Sequence, residues 1–219
     1  MNIIWHGHSC FTLEDKINGV PVSIVTDPYD NSIGLRLPKL EADLVSVSHA
    51  HEDHNNVEAV NGADGKSPIV INRPGEYEVK KVFALGIGSY HDKSQGAERG
   101  KSVMFKFDFD GVKILHLGDL GSELSDQQLE RIDDVDVLLI PVGGKYTINA
   151  AEAAEIVREI EPRIVIPMHY QLPGMKLDLD PVEKFRKAMG NKAETMNKLK
   201  ISKKDLPSDE IKLVILEKA

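Results

Sequence analysis

The chain has 219 residues and a formal net charge of −8, and 41% of its residues are hydrophobic. This length and composition indicate a soluble globular protein with enough apolar residues for a core of its own. They disfavour non-specific attraction to nucleic acid phosphates or anionic membranes, and no apolar run is long enough to span a bilayer.

The N-terminal stretch MNIIWHGHSCF lacks the basic region, the long apolar segment and the cleavage site of a secretory signal. The single cysteine, Cys10, excludes an internal disulfide and fits a reducing compartment, where we expect it to be a small packed residue. We therefore predict a cytoplasmic protein that binds neither nucleic acid nor membrane. The sequence leaves a homo-oligomer open.

The first half of the chain is rich in strand signals. Short stretches with β-branched or aromatic residues, bounded by turn residues, predict six strands: NIIW, PVSIVT, DLVSVS, PIVIN, EVKKVFAL and SVMFKFDF. Asp110 and Gly111 separate two apolar runs in FDFDGVKILHL, and this pair predicts a β-hairpin with a two-residue turn.

Helices alternate with strands in the second half. Ser125 with Gln128 and Asn149 with Glu152 have the spacing of helix capping boxes, and the stretch DPVEKFRKAM has a proline near a helix start. Continuous apolar runs predict buried strands in VDVLLIPV, RIVIPM and EIKLVILE. No linker divides the chain. We predict one domain over residues 1–219, with α/β layers and helices on at least one face of each sheet.

The strand DLVSVS is followed by SHAHEDHNN, which holds three of the chain's eight histidines. A single histidine is usually a packed or surface residue, but no local structural need explains His49, His51, Asp53 and His54 together. A loop at a strand end can turn successive side chains toward one point, and imidazole and carboxylate are ligands that zinc, iron and manganese accept. The cluster therefore predicts a metal site.

Further ligands are expected at the ends of other strands. His91, Asp119 and His169 each follow a predicted strand, although any one of them can stand there by chance. Two groups of three result, for two metal ions: His49, His51 and His91 in the first, and Asp53, His54 and His169 in the second. Asp119, with two carboxylate oxygens, is predicted to bridge the ions.

The sequence resembles the metallo-β-lactamase superfamily. The resemblance extends to about Tyr170 and is similar in detail to a branch of Zn-dependent hydrolases related to ascorbate-6-phosphate lactonases. It is carried by the ligand residues and by these stretches: HGHSCF, HAHEDH, RPGEYEV, YHDKSQGAERGK, HLGDLG, DVLLIPVGGKYTINAAEA and VIPMHY. It implies a four-layer αββα sandwich with metals at one edge, between the two sheets. Arg73 stands where that branch usually has glycine, and this departure affects only the expected shape of that turn.

Two residues near the predicted ligands are expected to support them. The resemblance implies that Asp27, at the end of PVSIVT, supports the histidine loop, since a carboxylate there can accept an N–H from the loop or from a ligand imidazole. The alternative is a turn-forming aspartate before Pro28. His8 is interpreted as a pocket residue or a support for the ligands, and His6 as structural. His116 lies within a predicted strand and is left out of the site.

Two loops are expected to contact substrate. DKSQGAERG after His91 is polar, and its Arg99 can hold an anionic group, unless it forms a salt bridge with a nearby acid. In GGKYT, Lys145 or Tyr146 can contact substrate, although a solvated loop is an equal alternative.

These residues predict a metal-dependent hydrolase. Two divalent ions, zinc first and manganese or iron as alternatives, would lower the pKa of a bound water, and the hydroxide would attack a carbonyl or phosphoryl group. Asp53 would orient the hydroxide or pass a proton to the leaving group. We expect a small-molecule substrate, such as an anionic lactone or phosphoester.

Three other functions are considered. A nucleic-acid hydrolase of the same fold is disfavoured by the acidic balance. A di-iron oxidoreductase is disfavoured because flavin-linked members of the superfamily have glutamate at the position of His51, and no flavodoxin-like segment follows. A non-catalytic metal-binding protein would not need a complete ligand set.

Overall fold

The computed structural model describes residues 1–219, and its strands form two large sheets and one small one. In chain order the strands are β1 (Asn2–Gly7), β2 (Cys10–Ile17), β3 (Val20–Thr26), β4 (Leu40–Ala42), β5 (Leu44–Ser46), β6 (Val60–Gly62), β7 (Ile69–Ile71), β8 (Gly75–Val79), β9 (Val82–Tyr90), β10 (Lys101–Phe109), β11 (Val112–His116), β12 (Val137–Pro141), β13 (Ile164–Met168), β14 (Glu194–Met196), β15 (Leu199–Lys200) and β16 (Lys212–Leu216). The α-helices are α1 (Asp126–Ile132), α2 (Ala150–Ile160) and α3 (Val182–Ala188). Short 3₁₀ helices span Asn31–Ile33, Val57–Ala59 and Lys203–Asp205.

The two large sheets bring several strand ends to one place. The first sheet has the order β15-β1-β2-β3-β5-β7, and the second has the order β14-β16-β13-β12-β11-β10-β9-β8. Strand pairing makes β1, β3 and β5 run in the same direction in the first sheet. In the second sheet β9, β11, β12 and β13 also run together. The carboxyl ends of these strands therefore meet at one edge of each sheet, where loops can carry functional side chains.

A large core and a smaller one hold the layers together. The main cluster of 47 buried residues contains side chains of both large sheets, such as Trp5, Phe11 and Phe105, and the inward face of α2. The second cluster, of 12 residues, covers the other face of the first sheet around Val25 and Val45. Burial of apolar surface on this scale is the main favourable contribution to folding.

The predicted α/β sandwich is observed, with one difference in its layers. The outer face of the first sheet is covered by the 3₁₀ helix Asn31–Ile33 and by the small β4–β6 sheet, not by α-helices. All three α-helices follow β11 in the chain. No helix combines the length and the apolar composition needed to cross a membrane.

Most predicted elements are confirmed. Both capping boxes form at the starts of α1 and α2, and Asp110–Gly111 connects β10 to β11. The prediction of one continuous strand over EVKKVFAL is wrong, because β8 ends at Val79 and β9 begins at Val82. Lys80 and Lys81 make the turn with φ of 47° and 67°, without the glycine or asparagine that usually marks such a turn. An ion pair from Lys80 to Asp43 (2.7 Å) ties this turn to the first sheet.

Candidate metal centre

The structure brings the seven predicted ligands together at the shared edge of the two sheets. The histidine loop follows β5, and His91, Asp119 and His169 lie at the ends of β9, β11 and β13. Ligand atoms lie within 4.8 Å of one another in a first group of His49, His51 and His91 and in a second group of His8, Asp53, His54 and His169, and a further set of His49, His54 and Asp119 joins the two. The groups match the two predicted trios, with His8 added to the second.

Asp119 lies between the two groups. Its Oδ2 atom is 3.1 Å from His169 Nε2 and 3.4 Å from His54 Nε2 in the second group. The same oxygen is 3.4 Å from His91 Nε2 and 4.0 Å from His49 Nε2 in the first group. One carboxylate therefore faces nitrogen ligands of both groups, as a bridging ligand must.

Two glycines let the Asp119 loop approach the other ligands. A Cβ atom on Gly118 would lie 2.6 Å from Ser48 Cβ, beside the histidine loop. A Cβ atom on Gly121 would lie 2.3 Å from the carbonyl carbon of His91. Neither position has room for a side chain, and the φ of +56° at Gly118 also favours glycine. The two glycines of HLGDLG therefore allow Asp119 to reach both groups.

Asp27 and Ser48 fix the orientation of two ligand imidazoles. The Asp27 carboxylate accepts hydrogen bonds from Ser48 N (2.7 Å), Ser48 Oγ (2.6 Å) and His54 Nδ1 (2.9 Å). Because the Ser48 hydroxyl donates to Asp27, its oxygen accepts the Nδ1–H of His49 (3.0 Å). When the two imidazoles are neutral, the Nε2 lone pair of each is left for a metal ion. The structure thus places Asp27 where the resemblance implied, behind the histidine loop.

The donor set fits divalent metal ions. His49 Nε2 and Asp119 Oδ1 are buried and have no hydrogen-bond partner within the protein. Burial, with a smaller contribution from His54, lowers the pKa of His49 to about 3, so its imidazole is neutral at pH 7. Neutral imidazole and carboxylate together are ligands that zinc, manganese and iron accept.

His54 differs from His49 in the charges around it. Burial lowers the pKa of His54, but the Asp119 and Asp27 carboxylates outweigh burial and raise that pKa well above its ordinary value. A metal ion held at His54 Nε2 would need the lone pair of the neutral imidazole, so binding there would be coupled to deprotonation.

The sequence interpretation left out His116, which the structure places directly beneath the site. Its Nε2–H donates to Ser9 O (2.9 Å), and its Nδ1 accepts from Gly118 N (3.1 Å). His116 is fully buried. Because both of its ring nitrogens are used in these hydrogen bonds, it joins the β1–β2 turn to the Asp119 loop and does not face the ligands. Its position inside a strand gave no signal of this contact. His6, interpreted as structural, pairs its Nε2 with Thr12 Oγ1 (2.8 Å).

We expect His116→Ala to destabilise the metal-free protein by about 2–4 kcal/mol, since it opens a cavity and leaves two buried backbone groups unpaired. Denaturant unfolding in the presence of a chelator measures this loss. His51→Ala is the matched control, because His51 is exposed and its removal should change stability by no more than about 0.5 kcal/mol. Equal stabilities of the two variants would show that His116 does not hold the loop.

The loop after His91 is organised by Asp92. Its carboxylate accepts four backbone N–H groups, from Ser94, Gly96, Glu98 and Arg99, at 2.7–3.1 Å. Arg99 lies with its guanidinium carbon 5.8 Å from the ring centroid of Tyr146, in the loop after β12. The nearest acid to Arg99 is its exposed neighbour Glu98 at 3.9 Å, a contact of little energetic value. Lys145 instead pairs with Asp178.

The chain is similar to known proteins over most of its length. The model of the β-lactamase superfamily domain matches residues 2–169. A UPF0173 metal-dependent hydrolase of Thermoplasma acidophilum is 33% identical over 213 residues, covering 87% of this chain and 91% of that protein. A UPF0173 protein of Pyrococcus furiosus is 32% identical over 212 residues, covering 86% and 90%.

A solved structure extends the comparison to the whole chain. It is the crystal structure of a proposed Zn-dependent hydrolase of the metallo-β-lactamase superfamily from Thermotoga maritima. It matches with a TM-score of 0.79 and 38% identity, over 98% of this chain and 97% of that one. These matches confirm the predicted fold. The chain therefore belongs to the metallo-β-lactamase superfamily and, within it, to the UPF0173 metal-dependent hydrolases.

Proposed function

We propose that the protein uses two divalent metal ions, zinc first and manganese or iron as alternatives, to hydrolyse a small anionic lactone or phosphoester. The observation that carries the two-ion proposal is the single Asp119 oxygen within 3.1–4.0 Å of four histidine nitrogens from two groups. The substrate class follows from the motifs similar to those of ascorbate-6-phosphate lactonases. When bound, the ions would supply Lewis acidity that lowers the pKa of a water and stabilises developing negative charge.

Asp53 is the residue proposed to handle the proton. Its side chain is 24% exposed, whereas those of His8 and His54 beside it are fully buried. A carboxylate that is open to the cleft and close to the ligands can orient the attacking water and pass its proton to the leaving group. Buried neighbours such as Asp27 and Ser48 keep the imidazoles in position during this step.

The test of the proposal is metal content. Protein purified without chelator and reloaded with Zn²⁺ is expected to bind two ions per chain, measured by elemental analysis. Zn²⁺, Mn²⁺ and Fe²⁺ are then compared in a screen of lactones, phosphodiesters and thioesters. A protein that binds no metal at saturation would contradict the site assignment, and a single ion would remove the bridging role from Asp119.

The surroundings of Arg99 are an argument for an anionic substrate. Its backbone is fixed by Asp92, its guanidinium lies over Tyr146, and only exposed Glu98 competes for its charge. We expect Arg99→Ala to raise KM for an anionic substrate by roughly 10-fold or more, the cost of losing a charge-assisted hydrogen bond, with a smaller effect on a neutral analogue. Arg158→Ala on α2 is the matched control, since Arg158 pairs with Glu155 on an exposed helix face. Equal KM values for the two variants would remove Arg99 from the binding site.

The proposed partner is a small molecule and not a nucleic acid. The net charge of −8 opposes attraction to phosphate backbones. A gel shift with duplex DNA and RNA at physiological salt separates the alternatives, because tight, salt-sensitive binding would favour a nucleic-acid hydrolase of the same fold. Two bound ions with no turnover of any substrate in the screen would favour a non-catalytic metal-binding protein.

A further inference from the structure

His8 lies in the second ligand group, although it is not one of the seven predicted ligands. Its side chain is fully buried, and its Nε2 atom is 3.2 Å from Asp53 Oδ2 and 3.0 Å from His54 Nε2. Its ring centroid is 4.2 Å from that of His169. No other group forms a hydrogen bond with the Asp53 carboxylate.

The hydrogen-bond network assigns the proton of His8. His54 donates Nδ1–H to Asp27, so the Nε2 atom of neutral His54 is an acceptor. Asp53 is an acceptor whichever form His54 takes, so the Nε2 of His8 carries the hydrogen of its neutral ring. The opposite tautomer would place an N–H on Nδ1, which is buried without any partner, and a buried donor without an acceptor is costly.

The backbone of His8 is held in a conformation that histidine rarely adopts. Its φ is +53°, in the left-handed region. Its carbonyl oxygen accepts from Trp5 Nε1 (2.9 Å) and from the backbone N of His169 (3.1 Å). These two bonds keep the β1–β2 turn in this strained shape and tie it to a predicted metal ligand. The turn therefore carries the His8 ring to a fixed place beside Asp53.

We infer that His8 is a positioning residue: its Nε2–H holds Asp53 Oδ2 (3.2 Å), the oxygen that also lies 3.6 Å from His54 Nε2, and so fixes the orientation of the carboxylate in the second group. The inference rests on the proposed two-ion site. When a metal ion takes the lone pair of His54, Asp53 is the one acceptor that remains for His8. The seven-ligand set is then complete without His8.

Two substitutions of His8 separate a hydrogen-bond donor from a metal ligand. His8→Gln keeps an N–H at nearly the same reach, whereas His8→Phe keeps only the ring shape. Each is made in the full-length protein and again in the Asp53→Ala background. Zn²⁺ affinity for the second ion is measured by competition with a chromophoric chelator, and the visible absorption of Co²⁺-loaded protein reports the ligand geometry.

We expect His8→Phe to weaken binding of the second ion by roughly 10–100-fold, as loss of a hydrogen bond to a ligand typically does. His8→Gln should stay within about 10-fold of wild type with a similar Co²⁺ spectrum. In the Asp53→Ala background His8→Phe should have no further effect. Circular dichroism of the metal-free variants checks their folding, and His8→Ala takes the place of His8→Phe if the larger ring disrupts the fold.

Three results would overturn the inference while leaving the two-ion proposal intact. The first is no change in His8→Phe. The second is equal loss in His8→Gln and His8→Phe, which would make His8 a metal ligand. The third is an equal loss of Zn²⁺ affinity on His8→Phe in the wild-type and the Asp53→Ala backgrounds. A wild-type protein that binds no second ion would instead overturn the proposed function itself, and this inference with it.

Discussion

Asp53→Ala is expected to lower kcat by about 10²–10⁴ even when metal is saturating, because a general acid or base accounts for an effect of this size. Asp53 belongs to the second ligand group, so the substitution should also weaken metal binding there. Excess metal can restore occupancy, but it cannot replace the carboxylate that orients the water and carries the proton. The measurement is kcat against metal concentration, with a substrate found in the screen.

His169→Ala is the matched variant for this experiment. His169 belongs to the same ligand group but has no proposed role in proton transfer. Activity restored by excess metal should therefore recover more in His169→Ala than in Asp53→Ala. Asp27→Asn should lower activity less than either of these variants, by roughly 10–100-fold, because the amide oxygen still accepts a hydrogen bond from the loop. Equal recovery of Asp53→Ala and His169→Ala would show that Asp53 is only a ligand.

Asp119→Ala is expected to have the broadest effect on the metal centre. Its Oδ2 atom is the one carboxylate oxygen that faces histidines of both ligand groups. Removing it should weaken both sites, so that fewer than two ions bind at a Zn²⁺ concentration that saturates the wild type. Activity should fall on the order of 10³-fold or more, since each ion contributes several kcal/mol of charge stabilisation.

Asp136→Ala is the control for the effect of Asp119→Ala on folding. Asp136 is also a buried aspartate of the second sheet region, and it accepts a hydrogen bond from Lys113 N (2.8 Å). It lies outside all the ligand groups. The substitution Asp136→Ala should therefore lower the stability of the protein without changing the number of ions bound. Two ions bound tightly by Asp119→Ala would contradict the bridging assignment.

The proximity of the proposed ligands could be predicted because it depends on local sequence patterns. Each ligand follows an apolar strand, and the carboxyl ends of strands that run together share one edge of a sheet. The cluster from His49 to His54 then indicated which edge carries the proposed site. The capping boxes of α1 and α2 were equally local, since each depends on two residues that are three positions apart.

His8 was interpreted from the sequence as a pocket residue or a support for the ligands, but its partner Asp53 and the contacts of His116 could not be predicted in the same way. His116 contacts Ser9, 107 positions away, and His8 contacts Asp53, 45 positions away. Both contacts depend on how the β1–β2 turn packs against the two loops. The turn at Lys80–Lys81 was missed for a different reason: its left-handed backbone contains no glycine or asparagine, and the ion pair of Lys80 with the distant Asp43 gives no local signal.

Both ligand groups draw on both sheets. In the first group His49 and His51 come from the first sheet and His91 from the second, and in the second group His169 alone comes from the second sheet. Each ion would therefore act as a cross-link between the two halves of the sandwich. Neither complete group exists in a partly synthesised chain that ends before its second-sheet ligand. The choice among competing metals would then be made by the assembled protein, whose two sheets set the spacing of the proposed ligands, and not by the histidine loop alone.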